Sequence, residues 1–258
     1  MTVIGWDIGG VNTKAVRVAG DAVLVARNEA FEIQRAPNTI AARLREIAAR
    51  LGSEPADAHA VTMTAELSQF FRTKRDGVSY ILDAVASAFP GARVLVYAVD
   101  GRFLEVDEAR QSPLLVAASN WAATAALAAT RVRDAILIDV GTTTTDIIPI
   151  SVGRVVALGH TDPERLISGE LLYLGAVRTA VEAIVHHVPL HDGQAGVSAE
   201  SFALSGDVYV WRSELTAAGY TAPTPDGRPA TRDFAGERLA RTVCADRELL
   251  HASDIDRI

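Results

Sequence analysis

Apolar residues open the chain in short runs separated by turn residues. Positions 3–7, 14–18 and 22–27 read as three strands, with Gly9-Gly10 after the first and Gly20-Asp21 after the second. The period then changes. Ile40, Leu44, Ile47 and Leu51 recur at helical spacing, so 38–51 reads as a helix that stops at Gly52. Residues 58–63 read as a strand, 78–89 as a helix ending at Pro90-Gly91, and 94–99 as a buried strand. The alanine-rich stretch 113–130 reads as one long helix. The opening pattern restarts after it, with strands at 136–139, 146–150 and 155–158 and a turn at Gly153. Later, Pro223, Pro225, Gly227 and Pro229 mark an exposed loop, and 232–250 reads as a charged amphipathic helix.

The restart makes a weak internal repeat, and its chemistry lies at the first turn of each half. Asp7-Ile8-Gly9-Gly10-Val11-Asn12-Thr13-Lys14 and Asp139-Val140-Gly141-Thr142-Thr143-Thr144-Thr145-Asp146 share one design: an Asp at a strand end, glycine, then hydroxyl or amide groups. Glycine lets the backbone turn sharply and bring its N–H groups to an anion. A carboxylate beside phosphate repels it unless Mg²⁺ stands between them. One such hairpin alone is a common structural turn. The pair points to a phosphate clamp, with Gly9, Gly10, Asn12 and Lys14 on one side and Gly141, Thr142, Thr143 and Thr144 on the other.

Composition narrows the class. The 258 residues are 49% hydrophobic and 22% charged, as in an ordinary soluble globular protein with one large core or two modest ones. A net charge of −7 argues against a nucleic-acid surface. Lys14 and Lys74 are the only lysines, which singles out Lys14 beside the first loop. Cys244 is alone, so a disulfide or a cysteine cluster within one chain is excluded, and a lone cysteine reads as a small buried hydrophobe. The richest apolar stretch, 114–129, is interrupted by Ser119, Asn120 and Thr124. These features, with no targeting segment at the start, predict a cytoplasmic protein with small-molecule partners and neither nucleic acid nor membrane. They allow a homodimer.

Duplicated βββαβα units are the architecture of the sugar kinase, Hsp70 and actin superfamily, which the two loops and the element order resemble. The expected fold is α/β, with two RNase H-like domains flanking a cleft. The first spans 1–131. The second spans 132–258, carries an inserted hairpin and helical region, and lacks the superfamily's later glycine-rich turn. Further blocks are Thr62-Met63-Thr64-Ala65-Glu66-Leu67 and Ala117-Ala118-Ser119-Asn120-Trp121-Ala122-Ala123-Thr124-Ala125. Two more are Gly169-Glu170-Leu171-Leu172-Tyr173-Leu174-Gly175-Ala176-Val177-Arg178-Thr179 and Glu200-Ser201-Phe202-Ala203-Leu204-Ser205-Gly206-Asp207-Val208. Together they are similar to hydantoinase/oxoprolinase-related proteins of tetrahydromethanopterin- and methanofuran-linked one-carbon metabolism.

That resemblance implies a transferase. Its reaction would condense an (aminomethyl)furanylmethyl diphosphate with the phenol of γ-glutamyltyramine, or a related tyrosine derivative, releasing pyrophosphate and forming an aryl ether. Asp7 and Asp139 would position Mg²⁺, with Asp146 either joining them or closing its turn. Lys14 would face the diphosphate. Glu66 is the candidate base, and Thr64 beside it a substrate contact. Their structural alternative is a helix N-cap and first-turn acid. Asn120 and Tyr173 are expected at the substrate, and Arg178 either takes a carboxylate or forms a surface ion pair. Trp121 reads as core. His186, His187 and His191 read as a solvated hairpin rather than a metal site. Two other readings compete: an ATP-dependent small-molecule kinase with Asp100 as base, and a non-enzymatic nucleotide-binding module.

Overall fold

The computed structural model of the chain describes residues 2–258. Strands β1 (Thr2–Ile8), β2 (Asn12–Ala19) and β3 (Ala22–Ala30) form an antiparallel meander. The other edge of β1 pairs in parallel with β4 (Ala58–Met63), which pairs in parallel with β5 (Val94–Tyr97). Strand β6 (Phe103–Glu105) closes the order β3-β2-β1-β4-β5-β6. Parallel neighbours require crossovers, here α1 (Ile40–Arg50) before β4 and α2 (Lys74–Ala88) after it. Side chains alternate along β1, so Ile4, Trp6 and Ile8 share a face and are 0%, 3% and 0% exposed. They join one core with Leu44 and Ile47 of α1 and Ile81 and Leu82 of α2. An antiparallel meander followed by two parallel strands is the expected RNase H-like order.

The meander then repeats as β7 (Ala135–Val140), β8 (Thr145–Ser151) and the two-residue β9 (Arg154–Val155), with β10 (Leu171–Leu172) also on β8. Between β9 and β10 lies α6 (Asp162–Ser168). The chain divides into two compact units, Met1–Leu137 with Ile148–Glu170, and Ile138–Ile147 with Leu171–Ile258. The hairpin β11 (His187–Leu190) and β12 (Gly193–Gly196) belongs to the second unit, with α7 (Ser205–Trp211) and α8 (Arg232–Arg241). There Arg238, 0% exposed, donates to Asp207 at 2.7 Å and Asp226 at 3.0 Å, tying the proline-rich loop to both helices. The fold is α/β, with the RNase H-like strand order in its first sheet and a second meander that has fewer partners.

Several elements differ from expectation. The helix expected over 113–130 is interrupted: α3 (Val106–Gln111) is followed by α4 (Pro113–Val116) and then α5 (Asn120–Ala129). Ala117 instead forms a parallel bridge with Met63 at the end of β4, and Ala118 takes φ 50°. The helix expected over 232–250 ends at Arg241, and Cys244, with φ 57°, is exposed rather than buried. Strand β5 ends at Tyr97 because Ala98 turns to accept the chain's return, its N–H donating to the Arg102 carbonyl. Among the described residues no helix is long and apolar enough to cross a membrane.

Candidate functional site

The first turn is closed by its own backbone. The Gly9 N–H donates to the Asn12 carbonyl at 3.0 Å, and a Cβ on Gly9 would stand 2.6 Å from that oxygen. Glycine is therefore required there. The carbonyls of Val11 and Gly10 accept from Phe31 and Ile33 at 2.8 and 3.2 Å, while the N–H groups of Gly10 and Val11 have no partner among the described residues. Thr64, just past β4, donates its N–H to Ile8 at 3.0 Å and braces the turn from below. Lys14 Nζ lies 3.3 Å from Asp7 Oδ2 across β1 and β2, with its side chain 60% exposed. Both residues line a cavity of about 720 Å³ walled largely by short apolar side chains, Gly5, Val16, Ala60 and Ala123 among them.

The second turn repeats that closure. The Gly141 N–H donates to Thr144 at 2.8 Å, and the carbonyls of Gly141 and Thr142 are taken by Ala176, Val177 and Arg178 at 2.9, 3.2 and 3.0 Å. The N–H and hydroxyl groups of Thr142, Thr143 and Thr144 have no partner among the described residues, so the turn presents a set of open donors. Its support is Gly175, where a Cβ would lie 2.5 Å from the Thr143 backbone. The Thr179 hydroxyl bonds Gly175 at 2.7 and 2.9 Å, and the Ser205 hydroxyl reaches the Gly175 carbonyl at 3.0 Å. Sequence reasoning passed over Gly175, Thr179 and Ser205 as functional supports. A glycine in the middle of an otherwise bulky block was the available signal. Asp139 is exposed, and Asp146 sits buried in β8 opposite Leu171.

A contrast between two buried carboxylates marks Glu66. Glu170 accepts from the amides of Leu158 and Gly159 and from the Ser168 hydroxyl at 2.7 to 2.9 Å. Burial acts to raise its carboxyl, yet those donors outweigh it and hold Glu170 below the usual range. Glu66, in the short 3₁₀ element Ala65–Leu67, is 1% exposed, and neither carboxylate oxygen has a hydrogen-bond partner among the described residues. Burial pushes it up to about 7; the nearby amides of Glu66 and Ala118 and the Lys74 ammonium oppose the rise, and Asp162 adds to it. Lys74 and Asp162 are themselves paired at 2.5 Å. Helix α2 passes so close that a Cβ on Gly77 would stand 2.6 Å from the Glu66 Cα. The Ser119 hydroxyl, preceding α5, is also buried without a partner among the described residues.

The remaining expected residues scatter. Thr64 occupies the N-cap position of the 3₁₀ element and Glu66 its first turn, as the structural alternative has it, although the Thr64 side chain makes no capping bond. Asn120 begins α5 and lends its carbonyl to the Thr124 hydroxyl at 3.1 Å. Trp121 is core, 4% exposed, under the Arg165 guanidinium at 4.0 Å. Tyr173 is 56% exposed; Arg178 is exposed and forms no ion pair among the described residues. The Arg102 guanidinium holds Asp100 below the usual carboxylate range, which makes it a poor base. His186, His187 and His191 are exposed on the β11–β12 hairpin as expected. No group of three His, Cys, Asp or Glu side chains suited to a metal occurs among the described residues.

The hydantoinase/oxoprolinase family model matches residues 57–256. The chain is 37% identical over 256 residues, 98% of its length and 74% of the relative's, to the (4-{4-[2-(gamma-L-glutamylamino)ethyl]phenoxymethyl}furan-2-yl)methanamine synthase of Methanocaldococcus jannaschii. A synthase of the same name from Methanococcus vannielii is 38% identical over 122 residues, 47% of this chain and 54% of that one. Among solved structures, the ROK hexokinase of Thermus thermophilus aligns at TM-score 0.38 and 18% identity, covering 93% of this chain and 75% of that one. The chain belongs to the hydantoinase/oxoprolinase family.

Proposed function

We propose that the chain is a transferase that joins an (aminomethyl)furanylmethyl diphosphate to the phenol of γ-glutamyltyramine or a related tyrosine derivative. Likeness to the synthase of Methanocaldococcus jannaschii over 98% of the chain carries the choice of reaction. Two turns of one backbone design, each with open donors, support diphosphate as the leaving group. In the reaction the phenol proton passes to a base and the phenolate oxygen bonds the furfuryl carbon. The bond from that carbon to the diphosphate oxygen breaks, and its electron pair departs with pyrophosphate.

Charge grows on the leaving oxygens, where Gly10, Val11 and Thr142, Thr143 and Thr144 offer N–H and hydroxyl groups and Lys14 a positive charge. A free phenol loses its proton near pH 10, so the acceptor needs a base. Glu66, set near neutrality, suits that task, since a base of such pKa is both ionised and proton-avid at pH 7. Thr64, Asn120, Tyr173 and Arg178 are proposed substrate contacts, Arg178 for the glutamyl carboxylate. Asp7, Asp139 and Asp146 are the proposed carboxylates for a Mg²⁺ whose other ligands would be diphosphate oxygens and water. When bound, that ion would neutralise charge on the leaving group. The cavity beside Asp7 and Lys14, apolar in its body and charged at one end, supports a ring joined to a diphosphate.

The test is pyrophosphate release with Mg²⁺ from the furanylmethyl diphosphate and γ-glutamyltyramine, with mass spectrometry for the ether and ATP plus tyramine in parallel. Ether with stoichiometric pyrophosphate is expected, lost in Asp7→Asn and Asp139→Asn. Turnover of ATP alone would transfer the chain to the kinases.

A further inference from the structure

Glu66 is buried without a counter-charge although a lysine stands one turn from its helix contact. Helix α2 meets the Glu66 backbone at Gly77, where a Cβ would run into the Glu66 carbonyl oxygen. Lys74 precedes Gly77 by three residues, so the two share a face of α2. A buried carboxylate beside a lysine ordinarily pairs with it, because an isolated buried charge costs far more than a paired one. Here it does not. Lys74 Nζ lies 2.5 Å from Asp162 Oδ2 at the start of α6, and both Glu66 carboxylate oxygens lack a hydrogen-bond partner among the described residues. The pair is largely shielded, its side chains 23% and 18% exposed, so its charges act at short range with little screening. Asp162 is also held independently of Lys74. Thr161 caps α6 just before it, and the Glu164 carboxylate takes the amides of His160 and Thr161 at 2.9 and 3.0 Å.

We infer that Asp162 is a positioning residue for Glu66: by engaging Lys74 it keeps the ammonium from the Glu66 carboxylate. The inference rests on the reading of Glu66 as the base, a role that an ion pair would damage. A carboxylate tied to an ammonium is stable as the anion and takes a phenol proton poorly. Lys74 from α2 and Asp162 from α6 are the charged groups that act on Glu66, the first lowering its carboxyl and the second raising it. Arg75 and Asp76 of α2 are exposed, and the segment 117–120 that closes over Glu66 carries no charged residue. With Lys74 neutralised by Asp162, burial dominates at Glu66.

The test is a ¹³C titration of the glutamate carboxyls in the labelled chain, with Glu66 identified by its absence in Glu66→Gln. The parent should titrate at Glu66 near neutrality. Asp162→Asn frees Lys74 and removes a negative charge, so the Glu66 midpoint should fall by at least about one pH unit. Lys74→Met should move it upward instead, and the double variant should bring it back to within about one pH unit of the parent. An ion pair that only ties α6 to α2 would lower the melting temperature in all three variants and leave the Glu66 midpoint in place, which would overturn the inference. So would a parent midpoint in the ordinary carboxylate range. In the ether-forming assay, the acid limb of the kcat/KM profile should follow the midpoint downward in Asp162→Asn. Midpoints that shift as stated beside an acid limb that stays put would support the pairing and tell against Glu66 as the base, so the two failures are read separately.

Discussion

Strands β1 and β7 begin the two halves of the repeat, end in the same glycine turn, and differ in what lies around them. The Gly9 and Gly141 turns close by the same N–H to carbonyl bond, three residues on, at 3.0 and 2.8 Å. Behind the first turn stands a six-stranded sheet packed against α1 and α2. Behind the second stands the block around Gly175, Thr179 and Ser205, holding the turn by its carbonyls. A phosphate-type turn thus depends on its local backbone and one brace, not on a finished domain. Core burial is another matter. It requires the parallel strand and the crossover helices, which β1 has and β7 lacks among the described residues.

The largest consequence is in stability. Ile8→Ala should cost about 2–5 kcal/mol in urea unfolding, as a core deletion does, whereas Val140→Ala should stay within about 0.5 kcal/mol. Equal costs at the two positions would break the comparison.

Glu66 belongs to the first half, just past β4, a strand that has no counterpart beside β7 among the described residues. Its carboxyl stands at about 7 in the folded protein against 4.5 ordinarily. Between those values the folded state holds a proton that the unfolded chain has released, so stability falls as pH rises through the window and levels above it. The full loss is about 3 kcal/mol. Glu66→Gln should remove that fall, leaving the variant more stable than the parent at pH 8, as read from unfolding curves at several pH values.

Smaller effects distinguish the braces. Gly175→Ala forces a Cβ onto Thr143 and should cost about 1–3 kcal/mol, with phosphate affinity lost at the second turn. Gly10→Ala meets nothing within 4 Å and should be neutral to stability within about 0.5 kcal/mol. Thermal melts of the two variants decide it.

Much of this was legible in the sequence. The meanders, both turns, the helix built on Leu44 and Ile47, and the strand 58–63 announce themselves by period and glycine. The break at Ala118 did not, because an alanine run contains no breaker; the chain leaves the helix there to bridge Met63. The amphipathic pattern beyond Arg241 continued past the helix end for the same reason, since charge period does not record a left-handed residue such as Cys244. Glu66 could be named as an acid beside the first turn, but its isolation depends on α2 and the Ala118 turn closing over it. The strand at 136–139 was legible from its apolar run, but the exposure of Ile136, Ile138 and Val140 was not, because that depends on which elements pack beside it.

The central claim is that both turns take phosphate oxygens on their open amides. Titrating Mg²⁺ and inorganic pyrophosphate into the ¹⁵N-labelled chain tests it directly by amide chemical shift. The account predicts saturable shifts at Gly10, Val11 and Thr142, Thr143 and Thr144, with the second set lost in Gly175→Ala. Saturating pyrophosphate that leaves these amides unmoved would contradict it.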